Sequence, residues 1–129
     1  FEETGLMLGR DAEPLSVRGA WGPFLARGAR PDLSGLSFVA RAVTPPYRPR
    51  RFDARFFLAD AQALRSLEPE AGCGEILETA WFDLDEALGL DLPLITAFVL
   101  KRVETMLADP DAPAPFVRFV RGKREVRWI

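Results

Sequence analysis

The residue types best suited to chemistry in this sequence are arginines and carboxylates. Arg51, Asp53 and Arg55 alternate along a segment with strand character, which places the three side chains on one face of a strand. Two guanidinium groups on one face can bind phosphate oxygens in bidentate geometry, with the aspartate orienting them. The same spacing also fits a row of cross-strand salt bridges on a solvated sheet, so both interpretations stay open.

The sequence contains no histidine, and Cys73 is the single cysteine among its 129 residues. These counts exclude a Ser-His-Asp or Cys-His nucleophile system, His-ligated metal sites and an internal disulfide from the sequence as given. An enzyme built from this sequence would use carboxylates, arginines, hydroxyls or metal ions held by oxygen. Cys73, between two glycines, is predicted to be an inert loop thiol.

Charge is distributed unevenly along the sequence. The 17 basic and 19 acidic residues give a net charge of −2, which favours neither a nucleic-acid nor a membrane partner. Residues 41–55 hold five Arg and one Asp, residues 118–127 hold five cations and one Glu, and residues 60–91 hold nine acids and one Arg. A solvated surface explains such clusters, but a site for a metal-bound phosphate also needs them. Because no long apolar stretch or signal peptide is present, we expect a soluble, cytoplasmic protein.

Hydrophobic periodicity predicts a mixed α/β (α+β) chain. Strands are predicted at 36–43, 51–59 and 75–82, with Phe52, Phe56 and Leu58 facing the core. Helices are predicted at 21–30, after an N-cap at Asp83, and at 93–108, where an apolar stripe runs from Ile95 to Leu107. Residues 10–20 are predicted as loop, and 116–120 with 125–129 as a terminal hairpin.

The first residues have the composition of a helix end. Gly5 suits the position that follows the last helical turn, because glycine adopts the left-handed conformation at no steric cost. The numbering begins at Phe1, with no cap and no first turn before it. We therefore expect the upstream part of this helix to precede the numbered chain.

The segment from Phe1 to Leu6 resembles the end of the Nudix box, which closes with Arg-Glu-(apolar)-x-Glu-Glu-x-Gly-(apolar). Phe1 stands at the variable position, Glu2 and Glu3 at the paired acids, and Gly5 at the glycine. Three later segments resemble, in the same order, a Nudix branch that includes coenzyme A diphosphatases. They are RAVTPP at 41–46, RRFDARFFL at 50–58 and EILETAWF at 75–82.

The resemblance implies one Nudix domain over residues 1–129, folded as an α/β/α sandwich around a mixed sheet, with its N-terminal strands and the first part of the box before Phe1. It implies hydrolysis of the diphosphate bond in a nucleoside diphosphate linked to another group, such as a coenzyme A-like compound. The cofactor would be Mg²⁺ or Mn²⁺, which takes carboxylate oxygens and water as ligands and activates the attacking water. Glu3 is the first metal-ligand candidate and Glu2 the second.

The same resemblance implies a general base, and the charge pattern of the sequence predicts the ligands for phosphate. Glu78, or else Glu75, is the candidate general base, and Arg41, Arg51 and Arg55 are the candidates for binding substrate phosphates.

Alternative functions remain open. One is a Nudix-fold module that binds or senses a nucleotide without hydrolysing it. Another is a general anion or nucleic-acid binder that uses the two basic segments, against which the net charge argues. A homodimer contact through the basic tail is a further alternative. Trp81 and Phe82 are predicted to be core side chains rather than platforms for a nucleobase.

Overall fold

The computed structural model describes residues 1–68 and 79–129, which divide into two compact units. The first unit comprises Phe1–Leu36 and Ala59–Trp81, and the second comprises Ser37–Leu58 and Phe82–Ile129. The described elements, in chain order, are β1 (Gly9–Asp11), α1 (Gly22–Ala26), β2 (Ala29–Pro31), β3 (Leu36–Val43), β4 (Asp53–Ala59), a 3₁₀ turn (Ala61–Ala63), α2 (Leu84–Leu88), α3 (Leu94–Ala108), β5 (Pro115–Val120) and β6 (Lys123–Trp128). The architecture is α+β, with one two-stranded sheet and one four-stranded mixed sheet.

The first unit is built around the antiparallel pair β1 and β2, in which Gly9 lies opposite Pro31. Met7, Phe24 and Ala29 are buried beside this pair, with Phe1 and Leu25 packed against them. Gly9 is required by the close approach of the strands, since a Cβ atom there would lie 2.5 Å from the carbonyl oxygen of Arg30.

Two expectations for this unit were wrong. The helix predicted at 21–30 covers only Gly22–Ala26, because Gly28 adopts a left-handed conformation (φ +69°) and the chain then turns into β2. Residues 10–20, predicted as loop, include the end of β1. Strands of three residues are too short for alternation of apolar and polar side chains to reveal them.

The second unit contains the four-stranded sheet, in the order β4-β3-β5-β6. β3 and β5 are parallel, with Arg41 opposite Phe116, whereas β5 and β6 form an antiparallel hairpin. Arg121 and Gly122 connect the hairpin with φ angles of +50° and +77°, as a tight primed turn requires. The predictions of a strand at 36–43 and of a terminal hairpin are confirmed, but the second hairpin strand begins at Lys123 rather than at residue 125 because the turn takes only two residues.

The core of this unit lies between the sheet and α3. Val39 and Ala40 of β3 are buried with Val99 and Met106 of α3. The partly buried side chains that pack against this cluster are Phe56, Leu58, Phe98 and Val103. The predicted N-cap of α2 is also confirmed, because Asp83 and Glu86 form a capping box in which the Glu86 carboxylate accepts a 3.2 Å hydrogen bond from the Asp83 N–H.

The buried face of α3 differs from the predicted stripe. Ile95 and Leu107 are exposed, since they flank the narrower row of side chains that faces the sheet. Arg102 is buried instead, with 7% of its surface exposed, and its Nη2 donates to the carbonyl oxygen of Ala112. The helix also begins one residue later than predicted, because Pro93 has the extended conformation of an N-cap.

Phe52 is not a core residue, contrary to the prediction. Its backbone N–H donates to the Thr44 hydroxyl and its carbonyl accepts from the Thr44 N–H, at 3.0 and 2.9 Å. These bonds close the loop before β4 begins at Asp53, so the Phe52 side chain lies outside the packed part of the strand and is exposed.

Only the last part of the predicted strand at 75–82 lies within the described residues. Residues 79–82 have no regular secondary structure there, and the side chains of Trp81 and Phe82 are exposed, so their prediction as core was wrong. The Trp81 indole donates a 2.8 Å hydrogen bond to the carbonyl oxygen of Leu67. Among residues 1–68 and 79–129, no helix combines the length and apolar character needed to cross a bilayer.

Candidate functional site

The candidate metal ligands Glu2 and Glu3 lie in a single turn at the start of the first unit. The N–H of Gly5 donates to the Phe1 carbonyl at 2.7 Å, and Gly5 has a φ angle of +73°. A bond of this span, closed by a left-handed glycine, is the geometry that ends a helix. Both glutamate side chains are exposed to solvent.

A cleft of about 560 Å³ lies beside this turn. Glu2 and Thr4 contribute the polar part of its lining, together with the aromatic rings of Phe1, Trp21 and Phe24. The Phe24 ring packs edge-to-face against the other two rings, with centroid distances of 5.5 Å to Phe1 and 6.0 Å to Trp21. The remaining lining is largely aliphatic and includes Leu6, Leu8, Leu33 and Leu64. The cleft therefore combines flat apolar surfaces with one carboxylate, a typical composition for a small-molecule site.

In the second unit, Arg41 is held in place by two neighbours. Its Nε and Nη2 donate to the two carboxylate oxygens of Asp53 at 2.7 and 2.6 Å, which is a bidentate pair. Its guanidinium group also lies over the ring of Phe116, 4.7 Å from the centroid. Asp53 therefore orients Arg41 from the adjacent strand and forms no hydrogen bond to Arg51 or Arg55.

The row of charges continues across the sheet on β5 and β6. Arg118 lies over the same Phe116 ring, at 5.8 Å, and its Nε donates to Glu125 at 2.6 Å. The other oxygen of Glu125 accepts from Nε and Nη2 of Arg127, at 3.1 and 3.0 Å. Cross-strand salt bridges thus hold Arg41 and Arg118. The sequence left such bridges open for Arg51 and Arg55, which form none with the residues of 1–68 and 79–129.

The two carboxylates in this row are biased towards their charged forms. Hydrogen bonds from Arg41 lower the pKa of Asp53, and the charges of Arg41 and Arg55 act in the same direction while burial opposes them. Hydrogen bonds from Arg118, and then from Arg127, lower the pKa of Glu125 in the same way. The bond to Asp53 raises the pKa of Arg41.

The other predicted phosphate ligands remain available for a ligand. Arg55 is exposed and forms no ion pair with any residue of 1–68 or 79–129. Arg51 is exposed and makes one long hydrogen bond, 3.4 Å, to the carbonyl oxygen of Thr44. The roles of Arg41, Arg51 and Arg55 in substrate binding stay predictions.

Glu75 and Glu78, the candidates for the general base, lie outside the described residues, as does Cys73. Within the described part of the chain, no group of three or more acidic or cysteine side chains is placed to hold a metal ion. Glu2 and Glu3 are neighbours in the sequence, and of the two Glu2 lines the cleft while Glu3 does not.

Sequence reasoning missed two parts of these surfaces. Phe116 was not singled out, although Arg118, Glu125 and Arg127 already suggested alternating charges along a hairpin. The cleft was also missed, because its lining comes from segments around residues 1–8, 20–33 and 64, and no local pattern indicates that they meet.

Comparison with protein-family models, with curated proteins and with solved structures found no match to this chain. The Nudix resemblance therefore rests on the residues of the sequence and stays a prediction.

Proposed function

We propose that this protein is a Nudix-type hydrolase, with the α/β/α fold of that family, that cleaves the diphosphate bond of a nucleoside diphosphate derivative. The observation that supports the proposal is the position of Glu2, which lines the cleft and belongs to the same turn as Glu3. The cleft, at about 560 Å³, is large enough for a nucleoside-sized group.

The donor set of this turn fits Mg²⁺ or Mn²⁺. Two adjacent carboxylates offer the hard oxygen ligands that these ions prefer, and Mg²⁺ often uses only one or two carboxylates together with water and substrate phosphates. Glu3 is the first ligand in this proposal and Glu2 the second. When bound, such an ion neutralises the diphosphate and lowers the pKa of the attacking water.

The protein's own side chains supply binding and proton transfer in the proposed mechanism. The exposed ring of Trp21 and the half-buried ring of Phe1 offer flat apolar surfaces to the base or to another flat group of the substrate, and the buried ring of Phe24 supports both. Glu78, or else Glu75, accepts the proton of the attacking water. The products are a nucleoside monophosphate and the phosphorylated leaving group.

The test is a Mg²⁺-dependent screen of nucleoside diphosphate derivatives, coenzyme A included, with products identified by mass. Glu3→Gln removes a metal ligand, and we expect turnover to fall on the order of 10²-fold or more. Glu13→Gln removes an exposed carboxylate from the same unit and serves as the matched control. Mn²⁺ binding, followed by electron paramagnetic resonance, should weaken in the first variant and not in the second.

Unchanged turnover and Mn²⁺ binding in Glu3→Gln would show that the metal assignment is wrong. A nucleotide that binds to the wild type without yielding any product would instead favour a binding or sensing module. Trp21→Ala then tests whether the nucleotide binds in the cleft, because it removes one aromatic ring from the lining. Since Trp21 is largely solvent-exposed, the substitution should leave the fold intact.

A further inference from the structure

The two basic segments of the sequence meet at one end of the four-stranded sheet. Because β3 and β5 are parallel, the loop that follows β3 and the hairpin turn that follows β5 leave the sheet at the same end. The ring of Tyr47, in that loop, packs edge-to-face against Phe119 of β5 with centroids 6.3 Å apart. We call this surface, residues 44–52 and 120–124, the basic end.

The basic end concentrates positive charge. Residues 44–52 and 120–124 contain no acidic residue. Its six cations are all exposed, and none forms an ion pair with a residue in the described ranges 1–68 and 79–129. They are Arg48, Arg50, Arg51, Arg121, Lys123 and Arg124. The acids that flank the segments, Asp53 and Glu125, are already paired with the arginines of the sheet face.

The net charge of −2, from which no nucleic-acid partner was expected, averages over this distribution. Nine of the 19 acidic residues lie within 60–91, away in sequence from both basic segments. Six cations without an ion-pair partner among the described residues attract a polyanion locally whatever the net charge of the chain, because screening limits the reach of each charge to about 10 Å at moderate salt.

Exposed aromatic rings accompany these cations. Tyr47 and Phe52 are 67% and 66% exposed; Tyr47 directly precedes Arg48, and Phe52 directly follows Arg51. Unstacked bases bind to such rings, whereas in a duplex the base faces are already stacked and a lipid headgroup has no ring to offer. Cations that follow a phosphate backbone, with rings between them, are typical of surfaces that bind single strands.

We propose that the basic end binds single-stranded nucleic acid, with its cations on the phosphates and the rings of Phe52 and Tyr47 stacked on bases. The proposal does not depend on hydrolase activity, since it uses neither Glu2, Glu3 nor the cleft and shares only Arg51 with the residues predicted to bind substrate phosphates. It predicts little base specificity, because every base has a face that can stack.

The test is fluorescence anisotropy of a labelled oligo(dT) strand of about 20 nucleotides with the full chain, repeated over a range of salt concentrations. Four to six phosphate contacts give a slope of log K against log salt of about −3 to −4, so affinity should fall roughly 50- to 300-fold between about 50 and 200 mM salt. A duplex of equal length and phosphatidylserine vesicles are the competing ligands.

Two sets of variants separate charge from stacking. The double variant Arg121→Asn/Lys123→Gln removes two cations, and asparagine tolerates the left-handed conformation that Arg121 has in the turn. It should reduce the magnitude of the slope of log K against log salt by about 1.4. Arg18→Gln with Lys101→Gln removes the same charge from exposed positions elsewhere and should leave the slope unchanged. Phe52→Leu should weaken binding about 5- to 150-fold, and Phe52→Tyr should retain it.

Salt-dependent binding of the single strand, reduced by the first pair of substitutions and by Phe52→Leu, would support the proposal. Equal affinity for the duplex with no effect of Phe52→Leu would overturn it in favour of a non-selective polyanion surface. Binding to the vesicles without binding to the oligonucleotide would overturn it in favour of a membrane contact. Absence of any binding at the lowest salt concentration would also overturn it.

Discussion

The packing of α3 against the sheet can be tested with two neighbouring residues. Met106 is 9% exposed and belongs to the core cluster, whereas Leu107, the next residue, is 67% exposed. Successive helix positions differ by about 100° around the axis, so one side chain faces the sheet and the other faces solvent. Methionine and leucine have similar helix propensities, so replacing either with alanine changes the helix itself by a similar small amount.

Met106→Ala should therefore destabilise the protein by about 2–5 kcal/mol, the usual effect of truncating a buried methionine. Leu107→Ala should stay within about 0.5 kcal/mol of the wild type, as is typical of surface positions. With a urea m-value of about 2 kcal/mol/M, the first change lowers the unfolding midpoint by roughly 1 M or more. The measurement is urea unfolding followed by far-ultraviolet circular dichroism. Equal midpoints for the two variants, or a larger shift for Leu107→Ala, would refute this orientation of α3.

Two further predictions concern the charged row and the strand pair. Folding lowers the pKa values of Asp53 and Glu125, so their ionised forms stabilise the protein at pH values above the unfolded-state pKa of about 4, and this stabilisation is lost as the pH falls through the folded-state pKa values. The urea midpoint should therefore decline on acidification, and less steeply in Asp53→Asn. The same pH dependence in wild type and variant would contradict the assignment. Gly9→Ala should lower the free energy of unfolding by about 1–3 kcal/mol, since the added Cβ would lie 2.5 Å from the carbonyl oxygen of Arg30. Gly35→Ala, whose Cβ would have its nearest contact at 3.9 Å, should be close to neutral. Thermal unfolding of both variants tests this, and similar melting temperatures would show that β1 and β2 are not so closely packed.

The sequence predicted the elements whose patterns are long enough to be distinctive. The strand at 36–43 is confirmed because several alternating residues define it. The hairpin is confirmed because two apolar runs flank a short charged segment, although the turn is two residues rather than the four predicted. β1 and β2 were missed because their stability depends on each other and on the buried ring of Phe24, not on local propensity.

In the candidate site, too, local sequence predicted single residues but not the contacts that they make. Charged residues could be selected from composition alone, but their partners depend on strand register. Asp53 binds Arg41, twelve residues earlier, rather than Arg51 or Arg55, which lie two positions away along the chain. Arg102 was missed for a related reason: a helical pattern of apolar residues does not reveal that a buried guanidinium group can reach the carbonyl oxygen of Ala112.

The parallel pairing of β3 with β5 has a consequence for how the protein folds. Arg41 and its partner Phe116 are 75 positions apart, whereas the β5–β6 hairpin closes over two residues. Local hairpins form in microseconds, but closing a long loop carries an entropic cost before any contact offsets it. We therefore expect the hairpin turn to form early and the loop after β3 to join it late, near the rate-limiting step. A surface that needs both segments, as the basic end does, would then report completed folding, and its ligand would bind only chains that have reached the native topology.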